Sequence, residues 1–345
     1  MRKKKIDRIL VVRLSSMGDI VVLTPIFRSL KEKFPSARVD YLVKKEFVPL
    51  VKGNSFIDNV VEFDFRSGLK GWRALCRELS QRGYDVLIDM HNVLRTWLLS
   101  LYMFKAIQLR YLKPRLHRFC LFYCYLNLFP EDFSLLKEYY KVLYPLGIED
   151  CKYVPEIELS SEAREKASEV LQKFGLKGDF GVILGVANWA NKRYPLEKYK
   201  VVAKKVLEKY GFAVLWLGGI RDTYLKDNIQ QEGAESFLYL SDSLELSLGI
   251  LSMARVVVGN DTGLTYAAEA LGVPTVLVLG PTSKETGAGL YRSDNAVVEK
   301  RLWCRPCSQR GNRKCYRRRQ YCFDLIEPEE VIAAVDKVLG KERRR

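Results

Sequence analysis

The chain has 345 residues, 48% of them hydrophobic, and its 57 Lys and Arg against 41 Asp and Glu give a formal net charge of +16. This length is too great for one ordinary domain and suits two domains of roughly 160 residues each. The basic start Met1–Lys5 is followed by an acidic residue and a short apolar run, unlike a secretory signal peptide. Apolar runs such as Val93–Ile107 are too short and too charged to span a bilayer. We therefore expect a soluble, cytoplasmic protein.

The first half of the chain alternates between strand and helix patterns. Short apolar runs predict strands near residues 8–13, 38–43, 59–63 and 85–89. Helical periodicity predicts helices near residues 20–34, 46–52, 69–82 and 93–106. Regular alternation of this kind is typical of a parallel sheet covered by helices.

The second half repeats the alternation after a linker at Cys151–Leu159, where Ser160 and Ser161 are predicted to cap a helix that reaches Phe174. Strands are then predicted at Phe180–Leu184, Ala213–Leu217, Arg255–Gly259 and Thr275–Leu279, and helices at 196–210, 222–231, Thr265–Leu271 and Pro328–Leu339. Two such runs predict an α/β protein with two domains, residues 1–158 and 159–327, each with a parallel sheet, whose strand ends face one cleft. The sequence contains neither G-x-G-x-x-G nor a P-loop, which argues against a dinucleotide dehydrogenase or a P-loop ATPase.

The stretch Asn260–Leu264, between a predicted strand and a predicted helix, has the features of an anion site. The Thr262 and Gly263 amides are expected to point out of a helix N-terminus, where unpaired N–H groups and the helix dipole attract phosphate. A second turn, Gly280–Thr282, follows the next strand, and ligands of open α/β sheets bind at the carboxyl ends of strands. An ordinary capped turn is the alternative, because Asp and Thr are common N-caps.

A similar turn, Arg13–Asp19, follows the first predicted strand. Gly18 permits a tight turn, and Asp19 falls at the cap or in the first turn of the next helix. A lone Asp in this position is most often an N-cap carboxylate, and that interpretation stands beside a functional one.

Several motifs are more specific in combination than any one is alone: R-L-S-S-M-G-D-I (Arg13–Ile20) with Thr24-Pro25, N-K-R-Y-P with Lys192, and N-D-T-G-L (Asn260–Leu264) before G-P-T (Gly280–Thr282). Together they resemble glycosyltransferase family 9, the bacterial lipopolysaccharide heptosyltransferases, from about residue 8 to residue 338. The resemblance implies the GT-B fold, in which two Rossmann-like domains hold a nucleotide sugar between them. It also implies that the final helix, within residues 328–345, packs back on the first domain.

The resemblance further implies an inverting transfer of heptose from ADP-L-glycero-D-manno-heptose to the lipopolysaccharide inner core, with Asp19 as the catalytic base. The residues that it assigns to the donor are Lys192, Asp261, Thr262, Gly263 and Leu264. Asp222 is a further donor candidate, because it follows the strand that ends in Leu217-Gly218-Gly219 and could accept from ribose hydroxyls. From composition alone, Lys192 is a solvated surface lysine and Asp222 a residue that opens a helix. No metal and no cofactor is expected, since a lysine and a helix dipole can stabilise the leaving diphosphate.

On the acceptor side, the candidate contacts are Ser16, Gly18, His91 and Arg118. His91 follows a predicted strand, and a capping or hydrogen-bonded histidine is its equal alternative. The chain departs from the family at Tyr266, where a histidine usually stands three residues after the D-T-G glycine. Tyrosine donates a hydrogen bond but carries no positive charge at neutral pH. The donor therefore stays open, and a different nucleotide sugar used on another cell-surface glycan is the alternative.

Positive charge is concentrated in two stretches. Lys300–Arg319 holds nine Lys or Arg and no acid, and Arg110–Tyr125 mixes basic and aromatic residues. Such surfaces favour polyanions: nucleic acid, acidic phospholipid or phosphorylated lipid A. The resemblance favours the last, an anionic glycolipid acceptor at the inner face of the cytoplasmic membrane, with peripheral attachment and no nucleic acid. A basic nucleic-acid-binding protein with a nucleotide-fold core is the alternative from a different class.

Four of the eight cysteines form the pattern Cys304-x2-Cys307-x7-Cys315-x6-Cys322. One C-x2-C pair within four thiols is similar to a structural zinc site, but the second pair is spaced more widely than usual. Unliganded thiols that pack a loop are the favoured alternative, so zinc is a secondary expectation.

Overall fold

The computed structural model describes residues 5–176, 178–229 and 236–342. The chain forms two compact units. The first comprises the residues up to Pro114 together with Ser134–Glu158, and the second comprises Arg115–Phe133 together with the residues from Leu159 onward. Each unit is built on its own parallel sheet.

The two sheets have related topologies. The first contains β1 (Arg8–Val12), β2 (Arg38–Lys44), β3 (Asn59–Phe63), β4 (Val86–Asp89) and β5 (Ile107–Arg110), in the order β3-β2-β1-β4-β5. The second contains β6 (Phe180–Leu184), β7 (Ala213–Gly219), β8 (Ser236–Ser241), β9 (Val256–Asn260), β10 (Thr275–Leu279) and β11 (Ala296–Glu299), in the order β11-β10-β9-β6-β7-β8. In both sheets the first strand lies inside the sheet, and the strands that follow are added first on one side of it and then on the other. These sheet reversals, between β1 and β4 and between β6 and β9, are where doubly wound sheets bind ligands.

Helices follow most of the strands, as in other parallel sheets. They are α1 (Met17–Leu23), α2 (Pro25–Lys33), α3 (Gly68–Gln81), α4 (Leu94–Tyr102), α5 (Arg115–Tyr123), α6 (Leu135–Lys141), α7 (Ser161–Lys173), α8 (Leu196–Tyr210), α9 (Tyr224–Ile229), α10 (Leu244–Ser252), α11 (Gly263–Ala270), α12 (Tyr321–Asp324) and α13 (Pro328–Glu342). Short 3₁₀ turns lie at Lys45–Leu50, Phe65–Ser67, Tyr144–Leu146, Ala190–Lys192 and Lys284–Thr286. Within the described residues, no helix combines the length and the apolar character needed to cross a bilayer.

Central strands are buried on both faces, as parallel sheets require. All five residues of β6, β9 and β10 are buried, as are the four of β4. Trp72 anchors one apolar cluster in the first unit, and Trp216 anchors another in the second. These cores fix the carboxyl ends of β1 and β9, from which the two candidate turns extend.

Several predicted helices differ from the structure. The predicted helix 20–34 is two helices, because Pro25 has no N–H to continue the first one. The predicted helix 46–52 is the 3₁₀ turn Lys45–Leu50, which contains Pro49. The predicted helix 93–106 ends at Tyr102. The predicted helix 222–231 is the shorter α9, and residues 230 and 231 lie outside the described part of the chain.

The composition of the units also differs from the predicted domains. The chain divides after Glu158, but the earlier stretch Arg115–Phe133 belongs to the second unit. Helix α13 was expected to pack on the first domain, whereas it packs on α8, β10 and β11 of the second. Its apolar face explains this, because Val331, Val335 and Val338 are buried in the same core cluster as Trp216. The basic residues after 342 are outside the described residues.

Candidate active site

Asp19 lies in the turn between β1 and α1 and accepts hydrogen bonds from four groups. Ser16 is the N-cap of α1, and Asp19 stands at the third helical position in a capping box. Oδ2 of Asp19 accepts from the Ser16 amide at 3.1 Å and from the Ser16 hydroxyl at 2.6 Å. Oδ1 is paired with Arg13 Nη2 at 2.7 Å and accepts from the Tyr139 hydroxyl at 3.2 Å. Asp19 is therefore in the first turn of α1, where Ser16 and not Asp19 is the N-cap, and it also holds an ion pair.

The Asp19 carboxylate stays ionised although it is mostly enclosed. Burial by itself would raise the pKa of Asp19, but the Arg13 charge and the Ser16 hydrogen bonds outweigh it and lower that pKa to about 2. The exposed fraction of the Asp19 side chain is 26%, against 7% for Arg13. The cation is thus behind the carboxylate, and the carboxylate is the group that a ligand can reach.

His91 follows β4, the strand beside β1, and its imidazole is neutral at physiological pH. The pKa of His91 is lowered to about 4, chiefly by burial and also by the charges of Arg13 and Lys113. Its ring atom Nδ1 is buried without a hydrogen-bond partner. The His91 carbonyl accepts from Lys113 Nζ at 2.7 Å. The structure therefore brings His91 within electrostatic reach of Asp19, as a candidate acceptor contact would require.

The second turn begins at Asn260, whose buried amide organises the end of β9. Its Oδ1 accepts from the Tyr194 amide at 2.9 Å and from the Tyr199 hydroxyl at 3.0 Å. Its Nδ2 donates to the carbonyls of Leu184 and Val186 at 3.3 Å. These bonds tie β9 to the loop after β6, which carries Lys192 in the 3₁₀ turn Ala190–Lys192. The two sides of the sheet reversal are thereby fixed against each other.

Asp261 is the centre of a polar network at this turn. Its Oδ2 is paired with Lys192 Nζ at 2.6 Å and accepts from the Thr282 hydroxyl at 2.6 Å. Its Oδ1 accepts from the Tyr266 hydroxyl at 2.6 Å. Burial and the Asp261 charge raise the pKa of Tyr266 well above its usual value, so the phenol stays a donor. The structure brings Lys192, Asp261 and the Gly280–Thr282 turn together, and Tyr266 supports Asp261.

The helix start at this turn differs in detail from the prediction. Thr262 is the N-cap of α11, and its amide donates to the Asn260 carbonyl at 2.8 Å, so it does not point outward. Gly263 and Leu264 are the first residues of α11, and the first amides of a helix have no acceptor within the helix. The outward amides are therefore expected one residue later than the sequence indicated.

Two further site candidates occupy other positions. Asp222 Oδ2 accepts from the Gly219 amide at 2.9 Å and so closes the turn after β7. Arg118 lies on α5 in the second unit, whereas acceptor contacts were expected from the first domain. Its Nε is buried without a partner. Ser16 and Gly18 are both in the α1 start, where Ser16 serves Asp19.

The four clustered cysteines are all free thiols, and they line one pocket in the second unit. Across residues 5–176, 178–229 and 236–342, no three His, Cys, Asp or Glu side chains are close enough, as they stand, to hold a metal ion. The thiols are therefore neighbours around a pocket rather than a formed coordination sphere.

Comparison with known proteins identifies the class. Two Rossmann-like units with parallel sheets form the GT-B fold, and structural neighbours share it. A family 9 glycosyl transferase from Veillonella parvula superimposes with a TM-score of 0.80 at 21% identity, covering 99% of each chain. The ADP-heptose lipopolysaccharide heptosyltransferase II of Escherichia coli superimposes with a TM-score of 0.76 at 18% identity, covering 97% of this chain and 99% of that one.

The sequence comparison gives the family. The model of glycosyltransferase family 9 (heptosyltransferase) matches residues 72–316. Lipopolysaccharide heptosyltransferase 1 of Pseudomonas aeruginosa is 22% identical over 364 aligned residues, which cover 96% of this chain and 98% of the relative. Lipooligosaccharide heptosyltransferase 2 of Haemophilus influenzae is 23% identical, with 96% and 99% covered. The chain belongs to glycosyltransferase family 9, the heptosyltransferase family, and is a glycosyltransferase.

Some residues of the two networks had no assigned role from the sequence. Arg13 is in the opening motif, but nothing in that motif says that it pairs with Asp19. Tyr139 lies 120 residues away from Asp19 in the chain, and no local signal points to it. Thr282 was part of a noted turn, and its position at a strand end is the signal that could have linked it to Asp261.

Proposed function

We propose that this glycosyltransferase moves heptose from ADP-heptose to the inner core of lipopolysaccharide, with inversion at the anomeric carbon. The observation that carries the proposal is the Asp19 carboxylate, ionised and partly exposed at the sheet reversal of the first unit. Family membership supports the sugar, since relatives from Pseudomonas aeruginosa and Escherichia coli are lipopolysaccharide heptosyltransferases.

The donor half of the proposal belongs to the second unit. Lys192 Nζ and the first amides of α11 stabilise the diphosphate of ADP-heptose, and this stabilisation grows as negative charge develops on the leaving group. Asp261 does not contact the diphosphate, because two anions would repel each other. It positions Lys192 through the 2.6 Å ion pair, and Tyr266 and Thr282 hold Asp261 in turn. No metal ion takes part in this step.

The acceptor half belongs to the first unit. Asp19 accepts the proton of the acceptor hydroxyl while that oxygen bonds to the anomeric carbon of the heptose. The bond between the sugar and the phosphate breaks, and its electron pair leaves with ADP. One displacement of this kind inverts the anomeric centre. Arg13 keeps Asp19 ionised beforehand, and the neutral His91 offers a hydrogen bond to the acceptor rather than a charge.

Release of ADP in the presence of donor and acceptor tests the proposal. ADP-heptose and other ADP- and UDP-sugars are each offered with a defined inner-core acceptor, and product stereochemistry is read by NMR. Turnover that requires both ADP-heptose and the core acceptor, with an inverted product, is the expected result. Equal or better turnover with another nucleotide sugar would contradict the donor assignment. Tight RNA binding without any sugar transfer would favour the nucleic-acid alternative.

We also propose that the chain docks peripherally on the anionic inner face of the cytoplasmic membrane, where a glycolipid acceptor lies. Residues 90–114, all in the first unit, contain four Lys or Arg and no Asp or Glu. Helix α4 presents Leu94 (88% exposed) and Leu101 (71%) at helical spacing, and Phe104 (73%) follows its end. Exposed apolar rows flanked by cations favour the interface of an acidic bilayer. The second basic stretch, Lys300–Arg319, adds attraction without an apolar row of this kind.

Vesicle sedimentation tests the docking surface. The triple variant Leu94→Ser, Leu101→Ser, Phe104→Ser is expected to bind phosphatidylglycerol vesicles about tenfold more weakly, because it loses apolar area. The control variant carries serine at three exposed apolar positions elsewhere, Leu69, Ile220 and Leu325. Binding of the wild type should also weaken as salt screens the cations. Equal binding to neutral and acidic vesicles, or equal loss in both variants, would contradict the proposal.

A further inference from the structure

Two stretches that lie far apart in the sequence meet in the second unit. Arg115–Phe133 belongs to that unit together with the residues from Leu159 onward. The chain just after α5 contacts residues 300–320, which connect β11 to α12 and form neither helix nor strand. Both stretches stand out in the sequence for their positive charge, and the structure makes them parts of one surface.

Four exposed aromatic side chains lie on this surface. Tyr125 packs against Trp303 with ring centroids 5.6 Å apart, and Trp303 packs against Tyr316 at 6.3 Å. The Tyr125 hydroxyl donates to the Tyr316 hydroxyl at 3.4 Å. These three rings and Tyr123 are nevertheless each more than half exposed, Trp303 the most at 67%. Aromatic rings contribute most when they are covered, and contiguous exposed rings therefore indicate a binding surface.

Two arginines are held against these rings. The Arg313 guanidinium lies over the Tyr123 ring, 4.7 Å from its centroid, and also donates to the Tyr123 hydroxyl. The Arg317 guanidinium lies over Trp303 at 5.7 Å and over Tyr321 at 4.2 Å. Contacts of this kind orient a planar cation before a ligand arrives.

The surface calls for an anionic partner. Residues 300–319 hold nine Lys or Arg and no acid. Lys300 and Arg305 pair with Glu330 and Glu299, and the other cations of this stretch have no carboxylate partner among the residues that the structure describes. Arginine binds phosphate especially well, because its guanidinium offers two parallel N–H donors. A phosphate-bearing ligand therefore matches both the charge and the side chains.

The surface adjoins the loop that carries Lys192. Asn191 donates through Nδ2 to the Arg313 carbonyl, and the Asn191 carbonyl accepts from Gln320 Nε2 at 2.5 Å. A Cβ on Gly311 would lie 2.5 Å from Lys192 Cγ, so the segment packs directly on the lysine. A ligand on the surface is thus beside the proposed diphosphate site. This position favours a substrate of the same reaction over an unrelated polyanion.

We propose that this aromatic–arginine surface binds a phosphorylated saccharide, the sugar part of the acceptor. The inference rests on the proposed function. The surface consists of Tyr123, Tyr125, Trp303, Tyr316, Arg313 and Arg317. Its rings cover the apolar C–H faces of sugar rings, and its guanidinium groups bind the phosphates. The occupant is the saccharide and not the acyl chains, because the new bond forms on a sugar hydroxyl beside the donor diphosphate.

Binding of a water-soluble acceptor fragment, without donor, is the first test. The probe is deacylated lipopolysaccharide inner core that retains its phosphates, titrated into the full chain by calorimetry. Trp303→Ala with Tyr316→Ala should bind the probe about tenfold more weakly. Trp303→Phe keeps a ring and should bind within about threefold of the wild type. The control is Leu116→Ser with Leu128→Ser, exposed leucines of the α5 stretch, which a bilayer would need and a saccharide does not. Unchanged binding in the aromatic variant would overturn the proposal.

The phosphates are tested with the same probe after phosphatase treatment. The wild type should bind the treated probe about tenfold more weakly, because the charge-assisted hydrogen bonds are lost. Arg313→Gln with Arg317→Gln should bind the treated and untreated probes equally. Equal binding of both probes by the wild type would contradict the role of the arginines.

Two further measurements separate this site from the donor site and from other polyanions. ADP affinity should be unchanged in the aromatic variant, and a parallel loss of ADP binding would mean that the surface serves the donor. Single-stranded RNA or phosphatidylglycerol vesicles that bind more tightly than the phosphorylated core, and weaken in the same variant, would also overturn the proposal. Because no donor is present, transfer of a sugar other than heptose would refute the proposed donor and leave this site standing.

Discussion

The two units hold an aspartate in nearly the same set of bonds. Asp19 pairs with Arg13 at 2.7 Å and accepts from a tyrosine at 3.2 Å and a serine hydroxyl at 2.6 Å. Asp261 pairs with Lys192 at 2.6 Å and accepts from a tyrosine at 2.6 Å and a threonine hydroxyl at 2.6 Å. Both stand at the strand-to-helix turn of a sheet reversal, one strand end in each Rossmann-like unit.

The difference lies in which partner faces outward. In the first unit the acid is 26% exposed and the arginine 7%, whereas in the second the lysine is 15% exposed and the acid 9%. The ion pair of the first unit thus presents its carboxylate, and the ion pair of the second unit presents its ammonium group. Under the proposed function, this difference in orientation makes the first turn a source of a base and the second an anion site.

Removing the outward carboxylate should have the largest effect. Asp19→Asn keeps the size and much of the capping ability of the side chain but cannot accept the proton. We expect kcat to fall at least about 100-fold, within the usual range for the loss of a general base, with near-normal ADP affinity. Steady-state kinetics, ADP titration and thermal melting on one preparation measure these quantities. Turnover within about threefold of the wild type would mean that Asp19 is only a cap.

Removing the outward cation should have the next largest effect. Lys192→Ala is expected to lower kcat/KM for ADP-heptose about 10- to 100-fold, because the charge that stabilises the leaving diphosphate is lost. Both a higher KM and a lower kcat are expected. Lys198→Ala is a suitable control, since that lysine contacts carbonyls of the Asp324–Glu327 stretch. Unchanged kinetics in Lys192→Ala would remove Lys192 from the donor site.

The sequence predicts much of the fold, above all the features that depend on residues contiguous in the chain. The fold class and the family are confirmed, because strand–turn–helix patterns and motifs such as Asn260–Leu264 are contiguous. Pro25 marks the break between α1 and α2 in the sequence, although one helix over 20–34 was predicted. The sequence analysis placed residues 115–133 in the first domain, whereas Arg115–Phe133 belongs to the second unit. Local periodicity shows which residues are helical, but not which of two cores receives their apolar side.

The ion pairs themselves could not be derived in this way. Arg13 and Asp19 are six positions apart, but Lys192 and Asp261 lie in the segments that follow two separate strands, β6 and β9. These residues come together because the two strands are neighbours in the sheet. Residues distant in sequence also contribute to these networks, as Tyr139 does by donating to Asp19. The roles of Asp19 and Lys192 were suggested by resemblance and stay predictions that the variants test.

A third variant tests how Arg13 controls Asp19. Burial without a compensating charge raises a carboxyl pKa, so Arg13→Met should move the pKa of Asp19 from about 2 to above its ordinary 3.8. In the wild type, stability from Asp19 is present above the unfolded pKa and is lost as pH falls from about 4 towards 2. The variant should lack this pH-dependent contribution to stability, and the acid limb of its kcat/KM profile should shift to higher pH. An unchanged acid limb in Arg13→Met, with Arg28→Met as the surface control, would contradict the ion-pair account.

The smallest effects concern the two tyrosines and test whether the acids are supported equally. Tyr266→Phe removes a 2.6 Å bond to a carboxylate that is 9% exposed, so it should cost about 1–3 kcal/mol of unfolding free energy. Tyr139→Phe removes a 3.2 Å bond to an acid that water also reaches, and its cost should be at most about 1 kcal/mol. Urea denaturation of both variants beside the wild type gives the two values. A larger loss of unfolding free energy for Tyr139→Phe would show that Asp19 depends more than Asp261 on its protein partners. That result would contradict the conclusion drawn from the exposed fractions of the two acids.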